Sequence, residues 1–137
     1  MRPTTLAIPL LILTACGDKD DDSGATDTGE ESGPEPTWEN VRDDVLVPSC
    51  GFSSCHAPPG SAQFGVDADS LADDYVEVPA FQDESYFLVD PGNPDDSYLL
   101  MKLEGAAGIS NDAMPPPDGG MDAARVQLVR DWIAGLE

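Results

Sequence analysis

The chain has 137 residues, a length that favours one domain, and it carries 27 acidic against 6 basic residues, a net charge of −21. From Thr37 onward 19 acidic and 4 basic residues remain, so this part alone is near −15. That balance argues against binding nucleic acid or an anionic membrane surface and favours basic partners, with plain solubility as the simpler explanation.

The first sixteen residues read as an export signal. Met1-Arg2 supplies the positive start, and Leu6 to Ala15 is an apolar run too short to span a bilayer. The run ends in Leu13-Thr14-Ala15-Cys16, which is similar to the lipobox of bacterial lipoproteins. That similarity implies cleavage before Cys16 and lipid on its thiol, with the mature protein in the cell envelope of a Gram-negative bacterium, facing the periplasm or the exterior. Residues 17–36 hold eight acidic residues and only Ala25 as an apolar one. Such a stretch cannot bury a core and is expected to be a disordered, self-repelling tether. Asp18, Asp20 and Asp22 alternate like the start of a calcium loop, but Ser23 and Gly29 stand where that loop needs Gly and Glu, so calcium is rejected.

The folded domain is expected over 37–137. Thr37 is a suitable N-cap, Glu39 complements the helix dipole, and Trp38, Val41, Val45 and Leu46 share one helical face. Pro48 is expected to end this helix just before the run Cys50-Gly51-Phe52-Ser53-Ser54-Cys55-His56. A Cys-x-x-Cys-His run is a c-type haem attachment signature, and here two further residues separate the cysteines. Two thiols would bond the vinyl groups of a haem while the adjacent imidazole ligates its iron. A Cys50–Cys55 disulfide with His56 as a bystander fits the same residues. Zinc fits less well: Cys50, Cys55 and His56, the only histidine, supply three ligands where a structural site wants four.

Beyond His56, Pro58-Pro59-Gly60 reads as a rigid turn. Ser70 could cap a short helical turn over 71–75. Tyr86-Phe87-Leu88-Val89 reads as a short extended segment, and Phe64, Tyr75, Phe81, Tyr86 and Phe87 as core. Asn93 is expected to cap a helix with Pro94 at its first position and Asp95 and Asp96 in its first turn, running through Leu103 to a stop at Gly105. Residues 108–120 form a loop with Met114-Pro115-Pro116-Pro117. A last helix, from Asp122 to Leu136, carries the apolar stripe Leu128, Val129, Trp132, Ile133 and Leu136, with Arg125 and Arg130 off it.

Three stretches together carry a family resemblance: Cys50 to His56, Asp90-Pro91-Gly92-Asn93-Pro94 through Leu103, and Met114-Pro115-Pro116 followed by a helix containing Trp132-Ile133. Over residues 38–136 the chain resembles the small cytochrome c-like domains of exported bacterial proteins, especially those of planctomycetes and myxobacteria. The resemblance implies an all-α fold of about three main helices with long loops. It implies one haem c bonded to Cys50 and Cys55, with His56 and Met114 as the axial ligands of its iron. A soft thioether suits a low-spin haem iron and raises its potential, and the prolines after Met114 stiffen its loop. Met101, inside a helix, and Met121, beside a helix start, are the rivals.

The expected function is single-electron transfer by a lipid-anchored cytochrome that is not an enzyme. Its partners would be a redox protein, for which the acidic charge favours a basic surface, and the membrane through its lipid, with no nucleic acid. The alternative is a haem-free binding module of the same fold, stapled by a Cys50–Cys55 disulfide.

Overall fold

Trp38, Val41, Val45 and Cys50 repeat at spacings of three to five residues, with Leu46 beside Val45, and the backbone follows them. The computed structural model describes residues 33–57, 64–117 and 120–137. The expected signal peptide, Cys16, the tether as far as residue 32 and the Pro58-Pro59-Gly60 turn lie outside those residues. Helix α1 (Trp38–Asn40) is capped by Thr37, whose hydroxyl accepts the Asn40 N–H. A π-helical segment (Val41–Leu46) and helix α2 (Val47–Cys50) follow without a break. A π turn takes more residues than an α turn, which lets Val41, Val45, Leu46 and Cys50 all face inward; each is buried.

Pro48 does not end this helix, contrary to expectation. Val47 donates five residues back to Arg42, and Gly51 donates four residues back to Val47. Pro48, which has no N–H to donate, sits where the helix changes from one bonding register to the other, so the cost of an interior proline is largely avoided. The helix therefore runs to Cys50 itself.

Two 3-10 turns (Ala72–Asp74 and Pro94–Asp96), helix α3 (Tyr98–Glu104) and helix α4 (Ala123–Ala134) complete the regular structure. The domain is all-α: among the described residues the only β pairing is two isolated bridges, Val76 with Val89 and Pro79 with Phe87. The helix expected from Asn93 is broken at Ser97, whose backbone is extended. Ser97 is fully buried, and its hydroxyl accepts from the Asp90 N–H and lies 3.0 Å from the Asn93 carbonyl. Serine competes for backbone groups in this way and interrupts helices. The freed N-terminus of α3 is satisfied elsewhere: Tyr98 and Leu99 donate to the carbonyls of Phe87 and Leu88. Gly105, in the left-handed region at φ 66°, ends α3 as expected.

Asp122 caps α4 through the Arg125 N–H, and the helix stops at Ala134, two residues short of Leu136. Its expected stripe holds, with Leu128, Val129, Trp132 and Ile133 buried and Leu136 half-buried against the core. α4 packs on the π-helical segment and on α3. Arg130 ties it further, donating to Asp95 at 2.6 Å and Glu104 at 2.7 Å. Trp38 sits between Tyr75 and Trp132, with ring centroids 5.0 and 5.3 Å away, and its indole N–H donates to the Ser70 carbonyl.

Three smaller expectations give way. Ser70 does not cap the 72–74 turn; its hydroxyl accepts from the Asp67 N–H, and the Asp74 carboxylate takes the Leu71 N–H instead. Phe81 and Phe87 are not core: they are 67% and 41% exposed. In the short 86–89 segment, Leu88 and Val89 take the interior and Phe87 is turned outward.

Candidate functional site: a cavity between the cysteine run and the methionine loop

α2 delivers Cys50 to the domain interior, and the chain then turns tightly. Phe52 and His56 both donate to the Cys50 carbonyl, at 2.9 and 3.2 Å, while Cys55 and Ala57 donate to the Phe52 carbonyl at 2.8 and 3.1 Å. The two extra residues between the cysteines are absorbed by this turn, which closes Cys50, Cys55 and His56 into one small loop. Gly51 permits it. A Cβ there would meet the Val47 carbonyl oxygen at 2.7 Å and the Val66 carbonyl oxygen at 3.2 Å. Val66 in turn donates to the His56 carbonyl at 2.8 Å, pinning the far end of the loop.

The imidazole is fixed by its surroundings. Nδ1 of His56 lies 3.2 Å from the Phe64 carbonyl oxygen, and the ring stacks on Phe64 with centroids 4.3 Å apart. A carbonyl only accepts, so Nδ1 carries the hydrogen and Nε2 keeps its lone pair, the arrangement a metal-binding imidazole requires. Cys50 and Cys55 are both free thiols. Burial, then the neighbouring Cys55, pushes Cys50 up to about 11, so it stays protonated at neutral pH.

From the other side, residues 110–114 run along α3, and Met114 donates its N–H to the Lys102 carbonyl at 2.8 Å. The Met114–Pro115 peptide bond is cis. Between this loop and the cysteine run lies a cavity of about 450 Å³, within the range of small-molecule and cofactor sites. Cys50, Cys55, His56 and Met114 all line it, although they come from two separate stretches of the chain. Leu46, Phe64, Leu88, Leu99 and Leu103 make much of the wall, and Val78 and Phe81 reach it from the 78–82 segment. Of the three methionines among the described residues, Met114 alone lines the cavity. Met101 packs with Ala80 and Tyr98 in a second small core, and Met121 lies against the main core.

The donor set is chemically consistent with haem c: two thiols to bond vinyl groups, an imidazole whose Nδ1 is hydrogen-bonded, a methionine in the same lining, and apolar walls for a macrocycle. The described residues hold no cluster of three or more His, Cys, Asp or Glu side chains suited to a bare metal ion. Two contributors escaped the sequence reading. Phe64 orients His56 through a backbone carbonyl, which no side-chain pattern announces. Lys102 lines the cavity and is buried; its signal was a single charge on a helix whose other positions from Tyr98 to Leu103 are apolar. No protein-family model matches the chain, and no curated protein or solved structure is significantly similar to it.

Proposed function

We propose that this is a cytochrome c-like domain that holds one haem c and passes single electrons, anchored to the cell envelope by lipid on Cys16. The observation that carries the reading is the convergence of Cys50, Cys55, His56 and Met114 on one largely apolar cavity. Cys50 and Cys55 would hold the haem by thioether bonds, and His56 and Met114 would ligate its iron. When bound, haem iron supplies reversible one-electron exchange between its ferrous and ferric states. The chain supplies the rest. In the neutral imidazole the Phe64 carbonyl selects the tautomer with its hydrogen on Nδ1, the leucine-rich wall lines the cavity with apolar surface, and the thioether favours the ferrous state. With His56 and Met114 both committed to the iron, the chain would offer it to electron exchange rather than to a substrate, and the proposed role is that of an electron carrier rather than an enzyme. The anionic surface, with 27 acidic residues in the chain, suits a basic redox partner and not nucleic acid.

A spectroelectrochemical titration of protein made with haem-maturation machinery tests the reading. One reversible, one-electron transition of a low-spin haem spectrum is expected. A protein without a Soret band, or a haem that is five-coordinate at rest, contradicts electron transfer by this route.

A further inference from the structure

The basic side chains of the described residues divide into two kinds. Arg42, Arg125 and Arg130 are each paired with carboxylates at the surface. Lys102 is instead 7% exposed, and its ammonium donates to two backbone carbonyls, Ser110 at 2.6 Å and Asp112 at 2.7 Å. Burying an ammonium is costly, and an apolar side chain would line the same space without that cost. What only the lysine provides is a pair of short, charge-assisted bonds to two alternate residues of one loop.

Those bonds are part of a larger attachment. The Lys102 backbone carbonyl accepts the Met114 N–H at 2.8 Å, and the Tyr98 hydroxyl, one turn earlier on α3, accepts the Ser110 N–H at 3.0 Å. One turn of helix thus holds the loop at residues 110, 112 and 114. The last of these is the methionine that lines the cavity, and Lys102 lines the cavity beside it. A loop running from Gly105 to Met114 has no helix of its own to fix its end, so the position of the thioether depends on this attachment.

We infer that Lys102 is a positioning residue for Met114: its ammonium clamps the loop so that the thioether is presented at a fixed place in the cavity. This rests on the haem reading above. Lys102→Leu in the full-length holoprotein keeps an apolar side chain on α3 and removes the ammonium without placing a second thioether in the cavity. The variant is expected to retain its haem content and helical circular dichroism. Its near-infrared Met–iron band should fall by about half or more, and ferric imidazole affinity should rise about tenfold or more as the sixth position becomes available. A band and an imidazole affinity equal to wild type, in a wild-type background that has both haem and band, overturn the inference and leave the haem reading intact. A wild-type protein with no haem removes both. Should the variant fail to fold, the wild-type holoprotein decides: Lys102, the only lysine besides Lys19, should show slowly exchanging ammonium protons coupled to the Ser110 and Asp112 carbonyls. Fast exchange there shows that no clamp exists.

Discussion

His56 and Phe64 are joined twice, once by the Nδ1–H bond to the Phe64 carbonyl at 3.2 Å and once by stacking of their rings at 4.3 Å. The first contact sets which nitrogen faces outward and the second sets the plane of the ring. They are separable by mutation because one uses the backbone and the other the side chain. Phe64→Leu keeps the carbonyl and loses the stacking. It should lower unfolding free energy by about 1 kcal/mol while leaving the haem spectrum low-spin. A high-spin spectrum in this variant would show that the stacking, not the hydrogen bond, orients the imidazole.

The cavity distinguishes the methionines. Met114→Ala should abolish the near-infrared Met–iron band and lower the midpoint potential, because a thioether ligand favours the ferrous state. Met121→Ala should leave the band in place. Met101→Ala should also leave it, but at a cost of about 2–5 kcal/mol in stability, since Met101 fills a buried position. Loss of the band in either of these two variants with retention in Met114→Ala would move the ligand assignment.

Ser97 offers a test of the fold away from the cavity. Ser97→Ala leaves the part-buried Asp90 N–H without the oxygen it now finds at 2.8 Å. An unsatisfied buried donor costs about 1–3 kcal/mol, which chemical denaturation should read as a lower midpoint with an unchanged slope. No loss of stability would mean that the break between the 94–96 turn and α3 does not depend on this hydroxyl.

The thiol form of the protein should carry a pH signature. Folding raises Cys50 from 9.0 to about 11, chiefly by burial. The folded state therefore binds this proton more tightly than the unfolded chain. The resulting stability is fully present below 9.0 and is lost as the pH rises toward about 11. Haem-free, reduced protein should unfold at lower denaturant concentration across that window, and Cys50→Ala should remove this part of the fall. An equal fall in both proteins would place its cause in other groups.

Much of this architecture was legible in the sequence because the signals were local. Thr37 and Asp122 cap their helices, Gly105 terminates α3, and the α4 stripe is buried as its spacing requires. The misses came from groups whose role is set by distant partners. Pro48 is accommodated by a π-helical register that propensity does not encode. Ser97 breaks a helix because Asp90 and Asn93 are folded against it. Phe81 and Phe87 are apolar yet exposed: Phe81 belongs to the wall of the cavity, and Phe87 is turned outward while Leu88 and Val89 beside it are buried. At the site, the four candidate ligands could be named from motifs, whereas Lys102 and the Phe64 carbonyl emerged only once the loops were packed together.

The proposed lipid anchor has its own test. Cys16→Ser should move the protein from the membrane to the soluble fraction of the envelope without altering its melting temperature, because residues 17–36, with Ala25 as their one apolar side chain, have no apolar surface to bury in a core. Continued membrane association of this variant would point to attachment through another part of the chain.

The most direct test of the central reading is the intact mass of mature protein purified after expression with haem-maturation machinery. Covalent attachment at Cys50 and Cys55 raises the mass by one haem over the reduced chain, and Cys50→Ala together with Cys55→Ala abolishes that increase. A wild-type mass that is instead lower by two hydrogen atoms, with no Soret absorption, identifies a Cys50–Cys55 disulfide and contradicts the cytochrome.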